Sequence, residues 1–131
     1  MLARIISIVL VLFFSCFHVQ AETQPSSDSF QRYFAQTRAC LTLPNYFTCL
    51  PQFLDKTIDR PGGDLSQIAF IEQLSTQPEL RRQLQHCFET EAQVVLRSNH
   101  SIVFVNKQMA CRASKVNERW LLDQFYYFYI D

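Results

Sequence analysis

The sequence predicts an α+β domain in which N-terminal helices pack on a C-terminal antiparallel β-meander, held by two disulfides. Three observations carry this reading. Apolar residues recur at helical spacing from residue 29 to about residue 88 and then give way to short runs rich in β-formers. Only a few residues separate those runs, which suits hairpins and leaves no room for parallel crossovers. Once an N-terminal leader is set aside, four cysteines remain, an even number for a small chain.

The leader comes first in the chain. Residues 1–4 carry one positive charge, residues 5–17 are apolar, and His18-Val19-Gln20-Ala21 ends on a small residue. That is the order of a secretory signal peptide, with cleavage expected after Ala21. The apolar run falls short of the ~18 residues a membrane-spanning helix needs, which argues against an uncleaved anchor. Lipidation at Cys16 is a rival, since Ser15-Cys16 is a small-residue-then-Cys pair, but Phe13 stands where such sites usually carry Leu. The reading is therefore residues 1–21 as signal peptide, 22–28 as a flexible lead-in and 29–131 as one small domain. Its destination is outside the cell or in a periplasm.

Phe30, Tyr33, Phe34, Thr37 and Leu41 define a first amphipathic helix over residues 29–41, opened by a capping-box-like Asp28 and Gln31. A second, short helix carries Phe47, Leu50, Leu54 and Ile58 on one stripe, kinked at Pro51 or starting there. Residues 60–63 (Arg-Pro-Gly-Gly) are the clearest turn. Asp64 then caps a third helix with Leu65, Ile68, Ala69, Ile71 and Leu74 on a broad apolar face. Pro78 and Glu79 open a fourth, whose Leu80, Leu84, Cys87 and Phe88 share one face. Residues 94–96, 102–105 and 109–111 read as strands, with turns at 98–100, 106–107 and 115–118. A long aromatic strand over residues 119–130 ends the chain. Strict alternation along it puts Trp120, Leu122, Gln124, Tyr126, Phe128 and Ile130 on one face and Leu121, Asp123, Phe125, Tyr127 and Tyr129 on the other.

Helices followed by a meander that ends on Arg119-Trp-Leu-Leu-Asp-Gln-Phe-Tyr-Tyr127 resemble the NTF2-like superfamily of cone-shaped α+β proteins. The resemblance implies a curved sheet wrapped on helices. Enzymes of that superfamily often place an Asp in the cone, but the fold also hosts ligand binders and inert partners, so it does not assign a function.

The mature cysteines, Cys40, Cys49, Cys87 and Cys111, are separated by 8, 37 and 23 residues. No CxxC pair occurs, so thioredoxin-type redox and zinc-ribbon spacings are absent. Pairing Cys40 with Cys49 and Cys87 with Cys111 is favoured over the other two connectivities, because it staples one helical corner and ties a helix to the sheet. A catalytic thiol is the competing reading. His86 and Cys87 are adjacent, however, and so diverge by about 100° on a helix, which would leave distant His100 as the only other partner in the mature chain.

Other chemistries find little support. Twelve basic and twelve acidic residues give no net charge, and Arg81-Arg82 is too short a basic step for nucleic acid. Two adjacent glycines cannot build a phosphate-cradling loop of spaced glycines. No hydrolase elbow, zinc-protease motif or His-rich metal set is present, so neither metal nor cofactor is expected. Asp55 and Asp59 fall at i, i+4 on the predicted second helix, a spacing that suits a solvated face. Asp123, flanked by apolar residues, is the carboxylate to watch for burial and a raised pKa. Asn99-His100-Ser101 matches a glycosylation acceptor in a predicted turn.

The leading functional reading is a small exported protein, not an enzyme, that binds another extracytoplasmic protein, for instance as an inhibitor or immunity protein. The second is an NTF2-like pocket protein that binds a small apolar ligand or catalyses a simple reaction around Asp123. For either, Trp120, Asp123, Phe125, Tyr127 and Tyr129 are the candidate pocket or partner surface, where Tyr and Trp are favoured. Intact mass of the protein exported by its own host tests the leader and the cysteines together. It should begin at Glu22 and take up alkylating reagent on four cysteines only after reduction; a lipid-sized excess, or free thiols before reduction, contradicts the reading.

Overall fold

The structure, a computed structural model, describes residues 25–127. The expected signal peptide with Cys16, and Phe128, Tyr129 and Ile130, lie outside the described residues. Helix α1 spans Pro25–Leu41, followed by the short α2, Tyr46–Cys49, and a 3-10 turn, Leu50–Phe53. Strands β1 (Leu54–Asp59) and β2 (Leu65–Ser66) precede helices α3 (Gln67–Thr76) and α4 (Pro78–Cys87). Strands β3 (Gln93–Arg97), β4 (Ser101–Asn106), β5 (Met109–Val116) and β6 (Arg119–Tyr127) complete the chain. They form one six-stranded sheet in the order β2-β1-β6-β5-β4-β3.

The α+β class and the meander β3–β6 agree with the sequence reading, as do α1, α4 and both disulfides. Four local expectations are corrected. Helix α1 starts at Pro25, so part of the predicted lead-in is helical; a proline at the first helical position gives up only an N–H that would be orphaned there anyway. Residues 54–59 are a strand, not the continuation of a helix. Leu54 and Ile58 are both buried, and a spacing of four places two residues on one face in a strand as well as in a helix, so the stripe could not tell the two apart. After Pro51 opens the 3-10 turn, the chain extends and pairs in parallel with β6, which makes the sheet mixed. The cap of α3 is Ser66, whose Oγ accepts from the Ala69 N–H, and not Asp64, because Leu65 and Ser66 are drawn into pairing with Ile58 and Thr57. The reversal before β2 uses the chain's two glycines, Gly62 and Gly63, at φ of 94° and 122°.

The fourth correction concerns the faces of β6. Arg112 pairs with Gln124 while Ala113 pairs with Leu122, so Asp123 is a surplus residue, a β-bulge. Beyond it the alternation is inverted: Trp120, Leu122 and Phe125 are all buried on one face. That face carries Ile102, Phe104, Cys111 and Ala113 from the neighbouring strands and receives the helices. Phe30 of α1 meets Trp120 at 5.4 Å and Phe104 at 5.7 Å between ring centroids, and Phe88 meets Phe104 at 5.2 Å. Phe70 of α3 packs on Phe125. These mostly edge-on contacts fill the space between helices and sheet, each fully buried ring contributing about 2–3 kcal/mol.

Three polar devices close the structure. The Arg81 guanidinium lies 4.0 Å from the Tyr46 ring centroid and donates to the carbonyls of Leu41 and Leu43, satisfying the end of α1 from α4. Gln85 donates to the same Leu41 carbonyl. At the far end of α4, Glu89 accepts from Asn106 at 2.9 Å and lies 2.8 Å from His86 Nδ1, with Lys107 at 3.9 Å. Cys40–Cys49 joins α1 to α2, and Cys87–Cys111 joins α4 to β5, with Cα–Cα distances of 6.0 and 6.2 Å.

Replacing Cys87 and Cys111 with alanine frees a cross-link of sequence separation 24 between two buried positions. By loop entropy alone this costs about 3.5 kcal/mol, against about 2.6 kcal/mol for the separation of 9 at Cys40–Cys49. Chemical denaturation should therefore rank the Cys87/Cys111 variant as the less stable of the two. The hydrogen bond to His86, first, and the charges of His86 and Lys107 hold the Glu89 carboxyl below the usual glutamate range. Its stabilising contribution is complete above the unfolded-state pKa and is lost as pH falls through the folded value. The melting temperature of Glu89→Gln should accordingly fall less steeply than that of the wild type on acidification below pH ~5; parallel curves would refute this.

Candidate functional site

The bulge separates the residues expected to share one pocket or partner surface. Trp120 and Phe125 are buried under the helices, Phe125 completely, so the Phe125 ring is core and presents nothing to a partner. Tyr127 is half-buried against the same core. Asp123 points the other way, onto the sheet face that carries no helix among the described residues. There its two carboxylate oxygens accept from Arg112 Nε at 3.0 Å and Nη2 at 3.1 Å, and from Ser114 Oγ at 2.8 Å. Tyr129 lies outside the described residues.

Next to this cluster, Gln124 donates to Asp59 at 3.3 Å, and a hydrogen bond to Asp59, first, raises the Tyr126 pKa. The pairing with Asp123 likewise raises the pKa of Arg112 and keeps it charged. The open face thus carries a row of mutually satisfied groups drawn from β1, β5 and β6. Both Asp123 oxygens are engaged, and its side chain is only 15% exposed, so it serves as a fixed counter-ion to Arg112. A general base would need a free lone pair aimed into a cleft. On the other face, burial holds the Tyr33 phenol neutral, far above the usual tyrosine range. Among the described residues, no three His, Cys, Asp or Glu side chains converge as metal ligands would.

Accessible features lie at the margins of the sheet. Strand β3 forms one edge, and all five of its residues are exposed. Val94, Val95 and Leu96 are 41%, 51% and 67% exposed, an uninterrupted apolar run with a bulge between Val94 and Leu96. Beside it, a cleft of about 350 Å³ lies between α1 and the edge, with Phe34, Ala35, Ala92, Val94 and Phe104 in its lining and Arg38 at hand. The Arg38 guanidinium sits 5.9 Å from the Phe34 ring centroid. A second, more polar cleft of about 290 Å³ lies between α1, the 3-10 turn and the β5–β6 hairpin. In the sequence, a run such as Val94-Val95-Leu96 reads equally as a buried strand; only the strand order leaves it at an edge.

No family model matches the sequence, and no curated protein does. Among solved structures, an NTF-2-like protein of unknown function from Shewanella oneidensis MR-1 superposes with a TM-score of 0.52 at 9% identity, covering 77% of this chain and 97% of that one. A de novo designed protein with a curved β-sheet gives a TM-score of 0.42 at 12% identity, over 84% of this chain and 99% of the design. At such identities the likeness concerns the fold alone. In its helices, its mixed sheet and its order of elements, this chain has an NTF2-like fold.

Proposed function

We propose that this is an exported, non-enzymatic binding protein whose partner, another extracytoplasmic protein, docks as an added strand on the β3 edge. The observation that carries the reading is the exposed apolar edge, Val94-Val95-Leu96. A free edge offers a row of backbone donors and acceptors, and soluble proteins usually blunt such an edge with charge, proline or a covering element. Here a bulge and Arg97 are the only blunting devices within the strand. Strand addition draws affinity from main-chain hydrogen bonds and specificity from pockets for alternate side chains, and the cleft beside Val94 is suitably placed for one such side chain.

Two further features support the reading. Disulfides of this kind persist in oxidising compartments. A small scaffold held by cross-links also loses little conformational entropy when it binds, as an inhibitor or immunity protein requires. The alternative of an internal apolar pocket around Asp123 has less support, because rings occupy the space between helices and sheet and Asp123 faces away from it.

A photo-crosslinking residue at Leu96, and a control at Ile68 on α3 (71% exposed), would test the proposal in the exported fraction of the native host. The expected result is a discrete heteromeric adduct from position 96 alone. Val95→Lys should weaken formation of that complex by ~10-fold or more, equivalent to about 1.4 kcal/mol, with the melting temperature nearly unchanged. Adducts equal at both positions, or an adduct of twice the protein's own mass, would overturn the docking of a foreign strand.

A further inference from the structure

The second cleft has a different chemistry and lies on the far side of the helices' attachment to β6, three strands from the β3 edge. Arg32 of α1 and Arg119, the first residue of β6, both line it. Neither guanidinium has a carboxylate partner among the described residues. Arg119 Nη2 donates to the Gln52 carbonyl at 2.8 Å, which holds the guanidinium at the wall and leaves its other N–H groups available. The one acidic residue of the lining, Glu118, is already matched by Lys115 at 3.3 Å. The amides of Gln36 and Gln52 add neutral donors, and Phe53 and Trp120 supply aromatic surface. Trp120 is held in place by its own Nε1–H, which donates to Ser29 Oγ at 3.0 Å.

Two uncompensated guanidiniums beside ring surface, in a space of about 290 Å³, form a site for a small amphipathic anion. We propose that this cleft binds a compact ligand bearing an oxyanion, its carboxylate or phosphate group met by Arg32 and Arg119 and its apolar body laid on Phe53 beside the largely buried Trp120. Charge selects the ligand, and the cleft's size limits it to about a single ring or short chain.

Trp120, the only tryptophan of the chain, lines this cleft, so its fluorescence reports on binding there, and the Arg32 and Arg119 variants separate that signal from binding elsewhere. The disulfide-intact protein would be titrated with benzoate and with phenyl phosphate, alongside benzyl alcohol and sodium chloride matched for ionic strength. The expected result is a saturable change with one or both anions and none with the two controls; the stronger anion identifies carboxylate or phosphate as the natural group. Arg32→Gln, at an exposed helical position, should weaken binding about tenfold with the melting temperature unchanged. Arg119→Gln should do likewise, read against its own melting curve. The absence of a saturable response to either anion, an equal response to benzyl alcohol or salt, or undiminished binding by Arg32→Gln would each overturn the assignment. None of these outcomes bears on the β3 edge, whose residues do not line this cleft.

Discussion

A single surplus residue in the central strand governs how the two faces of the sheet are used. β6 is the one strand that pairs with both the meander and the parallel β1, so its side-chain pattern has to satisfy both neighbours. With strict alternation, Leu122 and Phe125 would lie on opposite faces. The bulge at Asp123 returns Phe125 to the helical side, where it meets Phe70, and sends Asp123 outward to Arg112 and Ser114. A carboxylate forced under the helices would cost several kcal/mol unless paired, so the bulge keeps the core dry and gives the charge its partner in the same step.

From that arrangement follows the division of labour in the molecule. Rings that might have formed an aromatic surface are spent instead on the interior: Phe30, Phe88, Phe104, Trp120 and Phe125 hold three helices to one face. The two disulfides reinforce the same region, one at the helical corner and one between α4 and β5. Chemistry is left to the margins of the described residues, where β3 lies at an edge with apolar side chains exposed and the cleft between α1 and the β5–β6 hairpin holds two guanidiniums without a carboxylate partner. Arg81 shows the same economy. As half of a basic dipeptide it carries no message for nucleic acid, yet folded against Tyr46 it closes the end of α1.

Much of the architecture was legible in the residues because the relevant physics is local. Helices α1 and α4 carry unambiguous 3.6-residue stripes, Pro78 marks the start of α4, and Gly62-Gly63 marks a reversal that other residues rarely adopt. The cysteine pairing could be favoured from where each residue sits on its predicted element. The strand at residues 54–59 was not legible, since an interval of four between apolar residues serves both periods and the choice was made by pairing with β6, 65–68 residues away. The candidate site fared worse for the same reason. A bulge leaves no mark in a run of aromatics, so Phe125 and Asp123 could be assigned to a common face when they occupy opposite ones.

By itself the sequence determined the class of fold, the elements with a single clear period, the turn at its two glycines and the cysteines able to cross-link. Each of these is set by interactions within a few residues or by covalent chemistry. Only the tertiary structure decided which strand lies at the edge, which face of β6 is core and which arginines remain without a carboxylate. Those are properties of neighbours brought together from distant parts of the chain, and burial and pairing between them exist only once the sheet has closed against its helices.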